Sequence, residues 1–241
     1  MNPLSCVTHE ITQLTDQIYR VRIQAEAGEL FEFKGGQYLF LHMPDGNRVP
    51  LSIASAPEER QFIELHIRLL NDGGLVRQML DLFQSSSAFQ IEGPAGRCCL
   101  RDSERDVVCI AGGTGFSPMK SMLESALKQG DQRQLSLYLG VQQPEELYQH
   151  LLVEALDRQY NNFHFVPVVG DSNCEWAGAF GFPHQVALDR LGDKVTACDY
   201  YIGGSEAMVV NVYQALKAEG VPTENIYSDI LDIKRDQGES L

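Results

Sequence analysis

The densest chemical signal in the chain is Ala111-Gly-Gly-Thr-Gly-Phe-Ser-Pro118. It follows the apolar run Val107 to Ala111 and leads into helical spacing. Gly112, Gly113 and Gly115 carry no Cβ, so the backbone there can approach a diphosphate closely, and a helix start adds free N–H groups. Pro118 suits the first turn of that helix, where no N–H is needed. Proline stands where the common dinucleotide fingerprint has its third glycine, and no Lys-Ser or Lys-Thr pair closes a Walker loop. A tight strand-to-helix turn without a ligand is the alternative. Pro50-Leu-Ser-Ile-Ala-Ser55 is a second candidate; taken alone it reads as a strand that ends in a turn.

Other chemistry is not encoded. The six histidines have no metal-ligand spacing, and there is no G-x-S-x-G nucleophile elbow. The six cysteines show neither C-x-x-C nor cluster spacing, so free thiols are expected and no iron–sulfur relay in this chain. No metal site is expected. Glu145-Glu146 reads as an acidic pair at a helix start with no catalytic role, and Trp176 as a packing residue.

Two rhythms must position these residues. Up to about residue 100 the chain reads as short strands: Ile18 to Ile23, Tyr38 to Met43, and Ile63 to Leu69, where Ile63, Leu65 and Ile67 alternate with Glu64, His66 and Arg68 as in a half-buried strand. Leu75, Met79, Leu82 and Phe83 mark one helix. From about residue 105, strands and helices alternate, which implies βαβ units and a parallel sheet. Helices are expected at 118–128, 145–158 and 183–191 and up to Ala218, strands at 135–139, 163–169, 200–202 and 226–227, and a frayed tail from Lys234. The domains are taken as 1–103, an antiparallel barrel, and 104–241, an α/β domain. The net charge of −14 disfavours nucleic acid and anionic membrane surfaces. No apolar run reaches a bilayer-spanning length and the N-terminus lacks a secretory pattern, so a cytoplasmic protein is expected.

Taken in order, several segments resemble the ferredoxin–NADP reductase superfamily, and most of all its NAD(P)H:flavin oxidoreductases, including those that feed bacterial luciferase. They are Gly36-Gln37-Tyr38, Pro50-Leu51-Ser52, Gly93-Pro-Ala-Gly96, Gly112 to Pro118, Trp176-Ala-Gly-Ala-Phe-Gly181 and Tyr201-Ile-Gly-Gly-Ser-Glu-Ala-Met208. The resemblance implies an antiparallel Greek-key β-barrel that binds flavin, followed by a Rossmann-like α/β domain that binds NADH or NADPH. It implies hydride transfer from nicotinamide C4 to flavin N5. Ser52 would bond near N5, Thr114 would lie near the nicotinamide, and Asp229 would lie near the ring, with a solvated loop Asp as the alternative. Arg48, Pro50, Leu51 and backbone groups of Glu64, Leu65, His66 and Ile67 would hold the flavin with Gly73 and Gly74. Gly112, Gly113, Thr114, Gly115, Phe116, Pro118, Gly203, Gly204 and Met208 would hold the coenzyme.

Departures from the pattern carry their own expectations. The arginine three residues before the serine is Val49 here, with Arg48 one further back. Either a bulge restores Arg48 or the flavin contacts differ. No Ser or Thr accompanies Gly73-Gly74, which favours FMN, riboflavin or FAD used as an exchangeable substrate; backbone N–H groups acting alone are the alternative. Gly203 replaces a cysteine of the family. Gln142 stands where an arginine would pair with the 2′-phosphate, which leans towards NADH or both coenzymes. The expected activity is reduction of free flavin for an oxygenase, a luciferase or ferric iron. The alternatives are a bound-FAD reductase serving a ferredoxin, flavodoxin or oxygenase partner, and a nucleotide-sensing subunit without turnover.

Overall fold

The structure is a computed structural model that describes residues 3–70, 73–85 and 87–239. The first domain holds β1 (Leu4–Gln13), β2 (Ile18–Ala25), β3 (Tyr38–His42), β4 (Arg48–Ser52), β5 (Ile63–Arg68), α1 (Leu75–Gln84) and β6 (Phe89–Ala95). Its six-stranded antiparallel sheet runs β4-β3-β6-β1-β2-β5 and curls on itself. Among the described residues the edge strands meet only through the Ile53–Leu65 bridge and the Ala54 N–H to Glu64 carbonyl bond of 2.8 Å, so the barrel is closed at one corner. Val21, Ile23, Leu39, Leu41, Ile63, Leu65 and Ile67 fill its interior.

The second domain adds β7 (Asp106–Gly112), α2 (Phe116–Gln129), β8 (Leu135–Val141), α3 (His150–Gln159), β9 (Phe163–Val169), β10 (Ala179–Phe180), α4 (Pro183–Leu191), β11 (Cys198–Gly203), α5 (Glu206–Ala218), β12 (Ile226–Tyr227) and α6 (Asp229–Asp236). Its parallel sheet is ordered β10-β9-β8-β7-β11-β12, with core residues on both faces. The chain winds outward from β7 to β9, then returns to the far side of β7. The strand order therefore reverses between β7 and β11, where open α/β sheets bind ligands beyond the strand ends.

β6 and β10 were not named as strands from the sequence, and three further elements differ from its expectation. β1 was not foreseen: only Cys6 in it is fully buried, and a register shift between Thr8 and Glu10 breaks its alternation. The helix expected from Glu145 starts at His150, because residues 144–146 close a separate 3₁₀ turn and Gln149 takes a left-handed φ of 58°. The expected frayed tail is helical to Asp236, so Asp229 opens a helix and does not lie in a solvated loop.

The domains are joined through the outward face of β5. Alternation gives Glu64, His66 and Arg68 to that face, and all three meet the second domain. Glu64 Oε1 is 3.3 Å from Lys120 Nζ on α2, and its Oε2 accepts from Arg22 at 3.0 Å. His66 bonds Glu64 through Nε2 and lies 3.1 Å from both Ser117 Oγ and Tyr148 OH through Nδ1. Arg68 bonds Glu146 at 3.0 Å. Phe116 stacks on the His66 ring and meets Tyr148 edge-on. The strand is thus buried on both faces, unlike the half-buried strand its pattern implies. Burial lowers the His66 pKa against the pull of Glu64, which leaves the imidazole neutral. Burial raises the Glu64 pKa, but His66, Lys120 and Arg22 together outweigh it and hold the group as carboxylate.

The connection between the domains is equally fixed. Arg101 N–H donates to Tyr201 OH at 2.9 Å, Arg133 Nη1 donates to the Arg101 and Ser103 carbonyls, and Ser103 Oγ bonds Asp199. Lys120→Met leaves the buried Glu64 without one of its cations. It is expected to destabilise the chain by about 3 kcal/mol in urea unfolding at pH 7. Arg77→Met, which opens only the exposed Arg77–Asp81 pair, is expected to change it by less than about 0.5 kcal/mol. Equal effects would show that the buried charge network does not hold the domains together.

Candidate cofactor cleft

The glycine-rich segment forms the turn between β7 and α2. Residues 113–115 make a 3₁₀ turn, and no side chain caps either that turn or α2. The free N–H groups of the helix start therefore lack a protein partner of that kind. Any Cβ on Gly115 would overlap the backbone of Gly203 and Gly204 at the end of β11, and one on Gly112 would overlap Met208 Sδ. The turn, Gly203-Gly204 and Met208 are consequently one packed unit at the point where the strand order reverses. Thr114 sits half-buried within it. Phe116 is buried and stacks on His66 at the domain joint, and Pro118 is buried in the first turn of α2. Gly113 is overhung by Arg68 of the first domain, whose Nη1 is 3.3 Å from the position of a Cβ.

The other candidates lie on the barrel. Val49 and Leu51 pack on its core, so Arg48, Pro50 and Ser52 share the outer face of β4. Directly opposite on β3 stand His42, Phe40 and Tyr38. The β3–β4 register is regular, and no bulge moves Arg48 to the other face. Its guanidinium is committed to Glu92 at 3.0 Å and lies over the Phe40 ring. Ser52 faces Tyr38, and Tyr38 adjoins Gly96 and Asp229: a Cβ on Gly96 would come within 2.8 Å of the Tyr38 ring and 3.0 Å of Asp229 Oδ1. Asp229 Oδ1 accepts the N–H groups of Arg97 at 3.2 Å and Cys98 at 3.4 Å. Burial raises the Asp229 pKa to about 6 despite those two bonds. Burial and the Asp229 charge in turn raise that of Tyr38.

Glu64, Leu65, His66 and Ile67 do not present side chains to this face. Leu65 and Ile67 are inside the barrel, and Glu64 and His66 are in the joint. The Glu64 backbone is already bonded, its N–H to Ser55 Oγ and its carbonyl to Ala54. Gly73 and Gly74 precede α1, whose N-cap Gly74 has no side-chain cap, and among the described residues a Cβ on either would meet nothing. Asn71 and Asp72 of that loop lie outside the described residues.

Beyond β8 and β9 a further polar group assembles. Gln143 Nε2 donates to Asp171 Oδ2 at 2.7 Å, its backbone N–H to Glu146 Oε1 at 3.1 Å, and Asp171 N–H to the Gln142 carbonyl at 3.0 Å. Arg68, Glu146, Gln143 and Asp171 were not singled out for the site from sequence, because none of the four falls in a recognisable motif. Only the parallel pairing of β8 with β9 brings Asp171 beside Gln142. Among the described residues no cluster of metal-ligating side chains occurs, and no helix is long and apolar enough to cross a membrane.

The two halves of this cleft match two known domain families: the oxidoreductase FAD-binding domain over residues 5–99 and the oxidoreductase NAD-binding domain over residues 109–214. Protein RfbI of Salmonella typhimurium is 30% identical over 93% of this chain and 67% of its own length. The phenol hydroxylase P5 protein of Acinetobacter pittii is 30% identical over 91% of this chain and 63% of its own. The chain thus spans only about two thirds of the length of these relatives. Among solved structures, the Amycolatopsis cytochrome P450 reductase GcoB superposes with a TM-score of 0.86 at 25% identity, over 95% of this chain and 69% of that one. By its paired domains and these relatives, the chain belongs to the ferredoxin–NADP-reductase-like oxidoreductases, enzymes that use FAD and NAD(P)H.

Proposed function

We propose that the chain is an NADH-dependent FAD reductase that delivers electrons to a protein acceptor of an oxygenase system. The observation that carries this is the pair of helix starts, one per domain. Each is led by glycine and has no side-chain cap. Among the described residues a Cβ on Gly73 or Gly74 would meet nothing, and one on Gly113 would meet only Arg68. Each fits the diphosphate of one dinucleotide, FAD on the barrel and NADH on the second domain. Bound there, nicotinamide and flavin supply the hydride exchange themselves, and the protein supplies position and electrostatics.

The chain's own residues do the rest. The domain joint at β5 fixes the barrel face against the coenzyme turn. The Ser52 hydroxyl and the Tyr38 phenol share the outer barrel face next to Asp229. With its Oδ1 taken by two backbone N–H groups, Asp229 can hold a proton at Oδ2. Oxygenase-system relatives support a protein acceptor, whether joined to this chain or separate: the phenol hydroxylase P5 protein and the terephthalate 1,2-dioxygenase reductase component of Comamonas. A second reading, free flavin as substrate, is favoured by one observation. Arg48 is bound to Glu92, which leaves the β4 face no uncommitted cation for a flavin phosphate.

Three measurements test this function. After loading with FAD and gel filtration, the full chain is expected to retain roughly stoichiometric flavin and to reduce ferricyanide with NADH at a rate independent of added FMN or riboflavin. Loss of the flavin, with turnover that saturates in free flavin, would return the assignment to a flavin reductase. Asp171 and Gln142 offer a carboxylate and no cation at the strand ends, which suits a ribose hydroxyl and repels a phosphate. Asp171→Arg is therefore expected to shift kcat/KM about tenfold from NADH towards NADPH; an unchanged ratio places the discrimination elsewhere. The third concerns Asp229, which titrates near 3.8 when unfolded and near 6 when folded. Between these values the folded chain binds more protons, so stability falls as pH rises through that window. Asp229→Asn is expected to be more stable than the unchanged chain in urea at pH 7 but not at pH 3.5, and an equal difference at both values would contradict the assigned titration.

A further inference from the structure

Tyr148 belongs to the second domain, but its ring is buried in the joint, edge-on to His66 of the barrel at 5.1 Å between centroids. Its hydroxyl lies 3.1 Å from His66 Nδ1. The carboxylate oxygen Oε1 of Glu64 is 3.1 Å from Nε2, so the imidazole carries its proton on Nε2 and accepts at Nδ1. Burial raises the pKa of the phenol, which therefore remains a donor. The next residue is strained by this placement. Gln149 has a φ of 58° and, among the described residues, is the only one other than glycine with a positive φ. Its Oε1 is buried and has no hydrogen-bond partner among the described residues. Both features are destabilising, and they persist only where the surroundings over-determine them.

The segment that Tyr148 ends is the one that meets the strand ends of the second domain. Gln143 N–H donates to Glu146 Oε1 at 3.1 Å, Glu146 N–H to the Gln143 carbonyl at 3.0 Å, and Tyr148 N–H to the Glu146 carbonyl at 2.8 Å. Residues 143–148 are therefore one braced turn. Gln143 Nε2 in turn holds Asp171 Oδ2 at 2.7 Å. One end of the turn is thus fastened to the barrel by a phenol, and the other to a carboxylate beside β8. We propose that Tyr148 is a positioning residue for coenzyme recognition: tethered to His66, it sets the place of Asp171 through Gln143, so the flavin domain takes part in choosing the coenzyme. The strain at Gln149 follows from the tether, because α3 starts immediately after the residue that the joint draws in. The proposal rests on reading Asp171 as the ribose-binding carboxylate.

The test uses the FAD-loaded full chain with ADP-ribose, NADH and NADPH. Tyr148→Phe keeps the buried ring and removes the tether, and Ser117 Oγ, also 3.1 Å from Nδ1, still serves the imidazole. Ser121→Ala opens a different contact across the same joint, the 2.6 Å bond from Ser121 Oγ to the Ser55 carbonyl, and is the comparison. Tyr148→Phe is expected to weaken ADP-ribose and NADH about fivefold, with the loss in turnover falling on KM rather than kcat, and to lower the preference for NADH over NADPH. Ser121→Ala is expected to leave ADP-ribose binding as it is. Without coenzyme, amide exchange at residues 143–148 is expected to quicken in Tyr148→Phe and not in Ser121→Ala. Asp171→Ala is expected to weaken ADP-ribose by itself, and adding Tyr148→Phe to it to change the affinity by less than about twofold. Equal weakening of ADP-ribose in Tyr148→Phe and Ser121→Ala would make the effect one of the joint as a whole and overturn the proposal, as would full additivity of Tyr148→Phe with Asp171→Ala. If Asp171→Ala binds ADP-ribose as the unchanged chain does, the ribose reading of Asp171 falls first and the proposal with it.

Discussion

The burial of a polar strand face is the constraint on which the rest of the molecule depends. β5 presents Glu64, His66 and Arg68 outward, and in a lone barrel all three would face water. Here the second domain covers them and supplies a partner for each: Lys120, then Ser117 with Tyr148, then Glu146. Taking a carboxylate out of water costs several kcal/mol unless cations and hydrogen bonds replace the solvent. Arg22, Lys120 and His66 do so for Glu64. Such a set is satisfied in few relative placements of two domains. The network therefore contributes geometry more than net stability, and it holds the barrel beside the coenzyme turn.

Much of the architecture was legible because periodicity survives wherever one face is apolar. The α/β half shows this: the runs at 107–111, 135–139 and 163–169 each become a buried parallel strand. The glycine turn was legible for a related reason, since the close packing of Gly115 on Gly203 and Gly204 tolerates no side chain. β1 was not legible, because a register shift disrupts its alternation and its neighbours, not its own apolar content, hold it. The relatives named for oxygenase systems favour the proposed protein acceptor over the free flavin that the sequence resemblance implied.

The candidate site was read from motifs, and motifs lie along the chain while a cleft lies across it. Ser52, Asp229 and the residues of the coenzyme turn occur in recognisable segments. Tyr38 entered only as part of a turn signature, although its place opposite Ser52 and beside Asp229 follows from β3–β4 register and the path of α6. The polar alternation of β5 pointed to solvent because a single sequence does not show what will cover a strand. The same limit hid the chain of contacts from Arg68 through Glu146 and Gln143 to Asp171, whose members are drawn from both domains.

The segment between the domains has a consequence for any attempt to take the molecule apart. Residues 101–105 look like a polar tether in composition, yet they are stitched into the second domain by Tyr201, Arg133 and Asp199. Arg101 also lies over the Tyr227 ring, which in turn stacks on Tyr201. A cut there removes a strap from the sheet it braces and does not release two ready-made halves. With the β5 face joined above and this strap fastened below, a cut between residues 101 and 105 would break contacts on the second domain's own sheet.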